Sequence, residues 1–340
     1  MPATEWRYLG ISSAALLGIV LIINWGYAVF LTRYEANFGK YQVDYKWSLI
    51  QQPDRECQVL ILGDSSGDQG VVPEIIYKNT GLTALNTCTF GDLLLVDDVW
   101  MLERYLELHQ PPRYLVLVHV YDIWSRGNPE TGSLQQIPLS IASWRQRSSL
   151  GLIDWKWLGQ VWLNQQLPII SRRYTLDMFR KDPFVFFDEY SITRHAQRYD
   201  SFGFRACQEA MPEMVRKDRE DHLEQLKEQK ETLSDLNRSA FARLVDLCQQ
   251  NQIRLVVFNS PLDAELAGSD SFQEYSARLR SLLNIEVKQL PLDAIVDEIF
   301  KVSPSELERV DHVTRPAAER YTMFVAEKLN ELERRAPSLN

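Results

Sequence analysis

One short stretch of this 340-residue chain combines the residue types that acyl-transfer chemistry requires: QVLILGDSSGDQG, Gln58 to Gly70. Val59 to Leu62 reads as a buried strand, and Gly63-Asp64-Ser65-Ser66 follows as a small polar turn. If a helix begins just past Gly63, the Ser65 hydroxyl lies near a helix N-terminus, where unpaired amides stabilise an anion such as the oxyanion of acyl transfer. The turn also has a purely structural reading, in which Asp64 or Ser65 simply caps the helix. A serine nucleophile needs a base within hydrogen-bond reach, and the chain offers five histidines. His109 ends a helix and is expected to be exposed, His119 lies within a strand, His195 in an irregular insertion and His222 in a charged helix. His312 differs: it directly precedes an amphipathic C-terminal helix bearing Ala318, Tyr321, Phe324, Val325 and Leu329, in a loop from which a base could reach the first strand.

The elements that must position these groups alternate between strand and helix. Apolar runs at Leu82–Cys88, Tyr114–Val120, Ile253–Asn259 and Ile285–Leu290 join Val59–Leu62 as candidate strands. Helical spacing appears in VDDVWMLERYLELH (Val96 to His109), which Pro111-Pro112 stop, and in LNRSAFARLVDLCQQNQ, where Phe241, Leu244, Val245 and Cys248 share a face. Strands apolar on both faces and separated by helices imply an α/β fold: a parallel sheet covered on both sides, three-layer and doubly wound. In such a sheet the turn after the first strand lies at the carboxyl edge, where ligands bind.

Composition sets the bounds. A formal charge of −9 leaves no basic footprint, which argues against nucleic acid as a partner. Cys57, Cys88, Cys207 and Cys248 show neither a CxxC pair nor metal-like spacing and read as buried thiols, with a disulfide as the lesser alternative. No metal-ligand cluster, glycine-rich phosphate loop or internal repeat stands out, so no cofactor is expected. Tyr8 to Leu31 carries no charge over 24 residues. As a helix it would extend about 36 Å, enough to cross a bilayer with some tilt, and no small-residue cleavage site closes it, so a retained anchor is expected rather than a signal peptide. Trp25, Tyr27 and Tyr34 suit an interfacial belt, while Arg33, Lys40 and Lys46 after the span, against Arg7 alone before it, favour a cytoplasmic body by charge bias.

GDSS after a first strand, GVVP at Gly70–Pro73, NTCTFGD at Asn86–Asp92 and DHVTRPAAERYT at Asp311–Thr322 together resemble the SGNH or GDSL-type hydrolase superfamily. The similarity is to its membrane-anchored envelope branch, which includes alginate O-acetylation proteins and the D-alanyl transfer protein of teichoic acids. It covers about 58–125 and 236–329. The resemblance implies an SGNH, flavodoxin-like fold with Ser65 as nucleophile and oxyanion donor, Gly91 as second donor and His312 as base. The family's G-x-N-D block falls on His119-Val120-Tyr121-Asp122, without its oxyanion asparagine. The acid three residues before the histidine is replaced by Arg309, leaving Asp311 or Glu308 to orient the base.

The domain organisation expected is an anchor (1–33), an SGNH-like domain in two parts (34–124 and 235–340) and a mainly helical insertion (125–234). In the insertion, Trp144, Trp155, Trp157 and Trp162 read as the core of a small helical cap, or as a surface that leans on membrane or stacks on sugars. Glu213 to Leu233 mixes charge signs at helical spacing and reads as a solvated helix. The function implied by the resemblance is a single-pass membrane esterase or O-acyltransferase with an extracytoplasmic body, acting on acylated cell-envelope polysaccharide. The alternative is an inactive scaffold of the same fold that binds glycan or a membrane-bound O-acyltransferase.

Overall fold

A computed structural model describes residues 3–207, 209–229, 231–286 and 295–335. The chain begins with helix α1 (Ala3–Leu31), whose stretch Ile11–Leu31 is long and apolar enough to cross a membrane. Helix α2 (Phe38–Leu49) leads to strand β1 (Val59–Gly63), short helix α3 (Ser65–Gly70), α4 (Pro73–Thr80), β2 (Ala84–Asn86), α5 (Leu94–Leu108) and β3 (Tyr114–His119). Then come α6 (Thr131–Leu134), α7 (Ile141–Gln146), α8 (Trp155–Gln166), α9 (Pro168–Ser171), α10 (Arg173–Lys181), α11 (Pro183–Glu189), α12 (Ile192–Ala196) and α13 (Pro212–Glu228). Helix α14 (Asp235–Gln250) returns the chain to β4 (Arg254–Asn259), followed by β5 (Leu262–Asp263), α15 (Ala264–Gly268) and α16 (Asp270–Glu286). Short strands β6 (Lys301–Val302), β7 (Leu307–Arg309) and β8 (His312–Val313) precede the last helix, α17 (Arg315–Arg335).

The central sheet is parallel, with strand order β2-β1-β3-β4. Its strands are rich in Val, Leu and Ile because alternate side chains enter different cores. Leu60, Leu62, Leu115, Leu117, Leu255 and Val257 pack with α5 and α14 residues such as Val99, Leu102, Phe241 and Leu244. Val59, Ile61, Val116, Val118, Val256 and Phe258 pack with Ile76, Tyr321, Val325 and Leu329 of α4 and α17. Each such buried side chain contributes about 1.5–3 kcal/mol, and both faces of the sheet are thereby closed.

The second strand is shorter than its apolar run suggests, but the chain continues beside β1, with the amides of Thr87 and Thr89 donating to the carbonyls of Ile61 and Gly63 at 2.9 Å. That continuation delivers Gly91 to the carboxyl end of β1. The expected strand at Ile285–Leu290 is not observed as such: Ile285 and Glu286 close α16, and 287–290 lie outside the described residues. Within Glu213–Leu233 the structure has a mostly exposed helix, as the mixed charges predict, and that helix is also docked. Helix α13 buries Val215 and Leu226, and its Asp218 and Arg219 pair with Arg309 and Asp263, docking it beside β7.

The four insertion tryptophans divide. Trp144 and Trp157 are buried, with ring centroids 5.1 and 5.9 Å from that of Trp100 on α5, whereas Trp155 and Trp162 are exposed. The four cysteines are free and buried.

Strand β1 ends on Gly63 at φ +144°, paired with Val118, and a Cβ there would stand 1.8 Å from the Val118 carbonyl oxygen. The turn therefore passes against β3 only with glycine. Gly63→Ala is expected to cost about 2 kcal/mol or more through strain and overpacking, read as a lower thermal denaturation midpoint of the full-length protein in detergent; an unchanged midpoint would refute this account of the turn.

Candidate active site

The strand order reverses direction at β1 and β3, so the crevice between their carboxyl ends is the topological switch point of the sheet. The turn from β1 into α3 opens into it. Asp64 is the N-cap of α3: its Oδ1 accepts from the Ser66 amide at 2.8 Å and from the Ser66 hydroxyl at 2.5 Å. Ser66 is thereby buried and occupied, while Ser65 stays partly exposed. The two readings of this turn are compatible, since one residue caps the helix and the next presents its hydroxyl.

Ser65 Oγ lies 2.9 Å from His312 Nε2, and His312 Nδ1 lies 2.7 Å from Asp311 Oδ1. Geometry thus unites three residues separated by up to 247 positions into a Ser-His-Asp line, the arrangement in which a carboxylate orients an imidazole against a hydroxyl. A neighbour of the histidine can orient it because of the local turn. In the β7–β8 hairpin Arg309 pairs with His312, so Val310 and Asp311 form the connecting turn, free of the alternation that would send adjacent strand side chains to opposite faces. Arg309, three residues before His312, is turned outward and holds both carboxylate oxygens of Asp218 at 2.8 and 3.0 Å. Glu308 accepts from the Cys207 thiol at 3.1 Å. Burial lowers the pKa of His312, but the charge and hydrogen bond of Asp311 more than offset it, leaving the imidazole above its ordinary value.

The hairpin is anchored on several sides. The Asp263 amide donates to the Val310 carbonyl at 2.8 Å, and α17 is tied to the end of α3 by the Val72 amide donating to Thr322 Oγ1 at 2.9 Å. Gly91 opens a 3-10 turn, Gly91–Leu93, against Asp64: a Cβ at position 91 would lie 3.7 Å from the Asp64 Cβ and 2.5 Å from Ile123 Cδ1. Tyr121 is committed elsewhere, its hydroxyl 2.7 Å from His222 Nδ1 and its ring packed on Phe272 and Tyr275.

Beneath the turn lies a cluster that the sequence pattern did not single out. Asp64 Oδ2 accepts from the Val120 amide at 2.8 Å and faces His119 Nδ1 at 3.3 Å, while His119 Nε2 reaches Asp98 Oδ2 at 2.6 Å. Both ring nitrogens meet carboxylates, which requires the imidazolium. Burial opposes that charge, but Asp98 and Asp64 outweigh it and push the His119 pKa up to about 10. Asp64 moves the opposite way, its carboxylate held below the ordinary value against burial by His119, Ser66 and the Val120 amide. A histidine inside an apolar strand signals such a partner only when the carboxylates at the ends of other elements are known.

The remaining histidines stand away from Ser65. His109 is half-buried rather than exposed, with Nε2 2.7 Å from the Ile50 carbonyl, and His195 is buried with Nε2 2.8 Å from the Glu35 carbonyl. Among the described residues no group of three or more His, Cys, Asp or Glu side chains converges as a metal site. No model of a known protein family matches this chain, and no curated protein matches it in sequence. The site therefore rests on its own geometry.

Removing His119 leaves two buried carboxylates without their cation, so His119→Ala is expected to cost about 3–5 kcal/mol, seen as a large fall in the denaturation midpoint. The raised pKa fixes the sign with pH: stability from His119 is fully present below its ordinary value of 6.5 and is lost as pH rises through about 10. A variant whose midpoint matches the wild type at neutral pH would disprove the buried imidazolium.

Proposed function

We propose that this protein is a membrane-anchored serine esterase or O-acyltransferase of the SGNH type, acting on cell-envelope polysaccharide through an acyl-serine intermediate. The observation that carries the reading is the 2.9 Å approach of Ser65 Oγ to His312 Nε2 with Asp311 behind the ring. The two-faced parallel sheet with Ser65 at its switch point supports the three-layer, doubly wound arrangement of that superfamily, and α1 supports the anchor. The polysaccharide substrate and the extracytoplasmic placement of the body come from the motif resemblance.

In this reading His312 Nε2 takes the Ser65 hydroxyl proton as Oγ attacks an ester carbonyl carbon. The amides of Ser65 and Gly91 hold the oxyanion. Collapse breaks the bond to the leaving alkoxide, which receives the proton from His312, and the acyl group remains on Ser65. Water attacking with His312 again as base completes an esterase cycle; a sugar hydroxyl in its place completes a transferase cycle. Tyr121, occupied by His222 where the family places an oxyanion donor, favours a second reading, an inactive scaffold that binds glycan or a membrane-bound acyltransferase.

Fluorophosphonate labelling of the full-length protein separates the two. Labelling of the wild type that disappears in Ser65→Ala and His312→Ala is expected; a folded wild type that takes no label assigns the scaffold role. The pH dependence gives an independent check. Attack needs neutral His312, so the labelling rate rises with pH through its raised pKa. Asp311→Asn is expected to slow labelling about 10³–10⁴-fold and to move that limb to lower pH; a limb that stays in place would exclude Asp311 as the orienting acid.

A further inference from the structure

The insertion is fastened to the lower part of α1, and it carries large apolar side chains out into the surroundings there. Asn24, a polar residue within the apolar stretch, is only 8 % exposed because the insertion covers it. Its amide donates to the Gln166 carbonyl at 2.8 Å, at the end of α8, and its side-chain oxygen accepts from the Ile169 amide at 3.4 Å, in α9. Three residues on, Tyr27 donates its hydroxyl to the Arg172 carbonyl at 2.6 Å. Further along, Phe30 of α1 and Tyr34 just past its end pack their rings on Phe179 of α10 and on Phe186 and Phe187 of α11.

Asn24 precedes the end of the apolar stretch at Leu31 by seven residues, which is about 10 Å along a helix. Whatever medium surrounds the last two turns of α1 therefore also surrounds α9 and its neighbours. The side chains facing outward there suit hydrocarbon: Phe184 is 90 % exposed, Ile170 61 % and Trp162 56 %, with Tyr174, Val185 and Phe187 also exposed. These residues belong to α8, α9, α10 and α11, which pack on one another in succession. Arg173, Arg180 and Lys181 on α10 are exposed as well, cations of the kind that accompany apolar residues at the boundary of anionic lipid. In water such a concentration of large apolar side chains on linked elements would be a liability.

We propose that α8 to α11 form a second, monotopic membrane contact, with Ile170 and the Phe184 edge of α11 sunk into the acyl-chain region of one leaflet beside α1. The inference rests on the reading of α1 as a spanning helix. The depth matches the roughly 5–10 Å to which interfacial amphipathic segments penetrate. Its occupant is lipid rather than a protein partner because the surface is continuous with the apolar stretch. Two contacts, one spanning and one lateral, would fix the tilt of the body over the bilayer and hence the direction in which Ser65 faces.

The four native cysteines are buried, so single cysteines at Ile170→Cys and Phe184→Cys can carry a nitrobenzoxadiazole maleimide in full-length protein. Val20→Cys on α1 and the exposed Ser239→Cys on α14 serve as references for lipid and water. After reconstitution into phosphatidylcholine/phosphatidylglycerol vesicles, labels at 170 and 184 are expected to be quenched by acyl-chain-brominated lipid to the degree seen at 20, and to resist iodide. Iodide quenching at 170 and 184 with brominated-lipid quenching at 20 overturns the lateral contact and leaves the anchor standing. Protection at 170 and 184 from both quenchers assigns the surface to protein and also overturns it. Failure of brominated lipid to quench position 20 overturns the spanning helix and the lateral contact together.

Discussion

The Asp64 carboxylate is the constraint on which the rest of the site depends. Its two oxygens gather the amides of Ser66 and Val120, the Ser66 hydroxyl and the His119 ring, joining the end of β1, the start of α3 and the end of β3 at one point. A buried carboxylate without donors would be expensive. With them it fixes the register of three elements, so that the residue after it has its side chain turned into the crevice. His119 and Asp98 extend this network into α5, and Gly91 rests against the Asp64 Cβ. The hydroxyl at 65 is placed by a polar core below it, and its own contact is the one it makes with His312 Nε2.

His312 is placed differently. It sits on a two-residue strand whose partner, β7, is held by α13 through Arg309 and Asp218, and the helix that follows is locked by Thr322 to the far end of α3. The insertion therefore contributes to the site without supplying a member of the Ser-His-Asp line. It braces the hairpin at one end through α13 and grips α1 at the other through α9.

Much of this was legible in the sequence, and the reason is local in each case. Val59–Gly63, Tyr114–His119 and Arg254–Asn259 are apolar on both faces, a pattern that a buried parallel strand demands. Ser65 stands two residues past the glycine that ends such a strand, and His312 stands before an amphipathic helix. What could not be read depended on contacts distant along the chain. Asp311 and Glu308 both flank Arg309 as candidates for the acid, and only the β7–β8 pairing, which puts Asp311 in a turn and Glu308 beside Cys207, separates them. His119 looked like an ordinary strand residue because Asp64 and Asp98 lie 55 and 21 positions away. The two roles of the tryptophans were likewise inseparable by composition, since Trp157 is core and Trp155, two residues earlier, is exposed.

The distance along the chain between Ser65 and His312 has a consequence for the timing of assembly. The hydroxyl and its turn are synthesised 247 residues before the imidazole, which the helix that locks its hairpin then follows. A nascent chain consequently carries Ser65 without His312 beside it over that interval. The Ser-His-Asp line closes only when the β7–β8 hairpin and α17 have docked, so its geometry is a property of the folded chain and of no shorter N-terminal part of it.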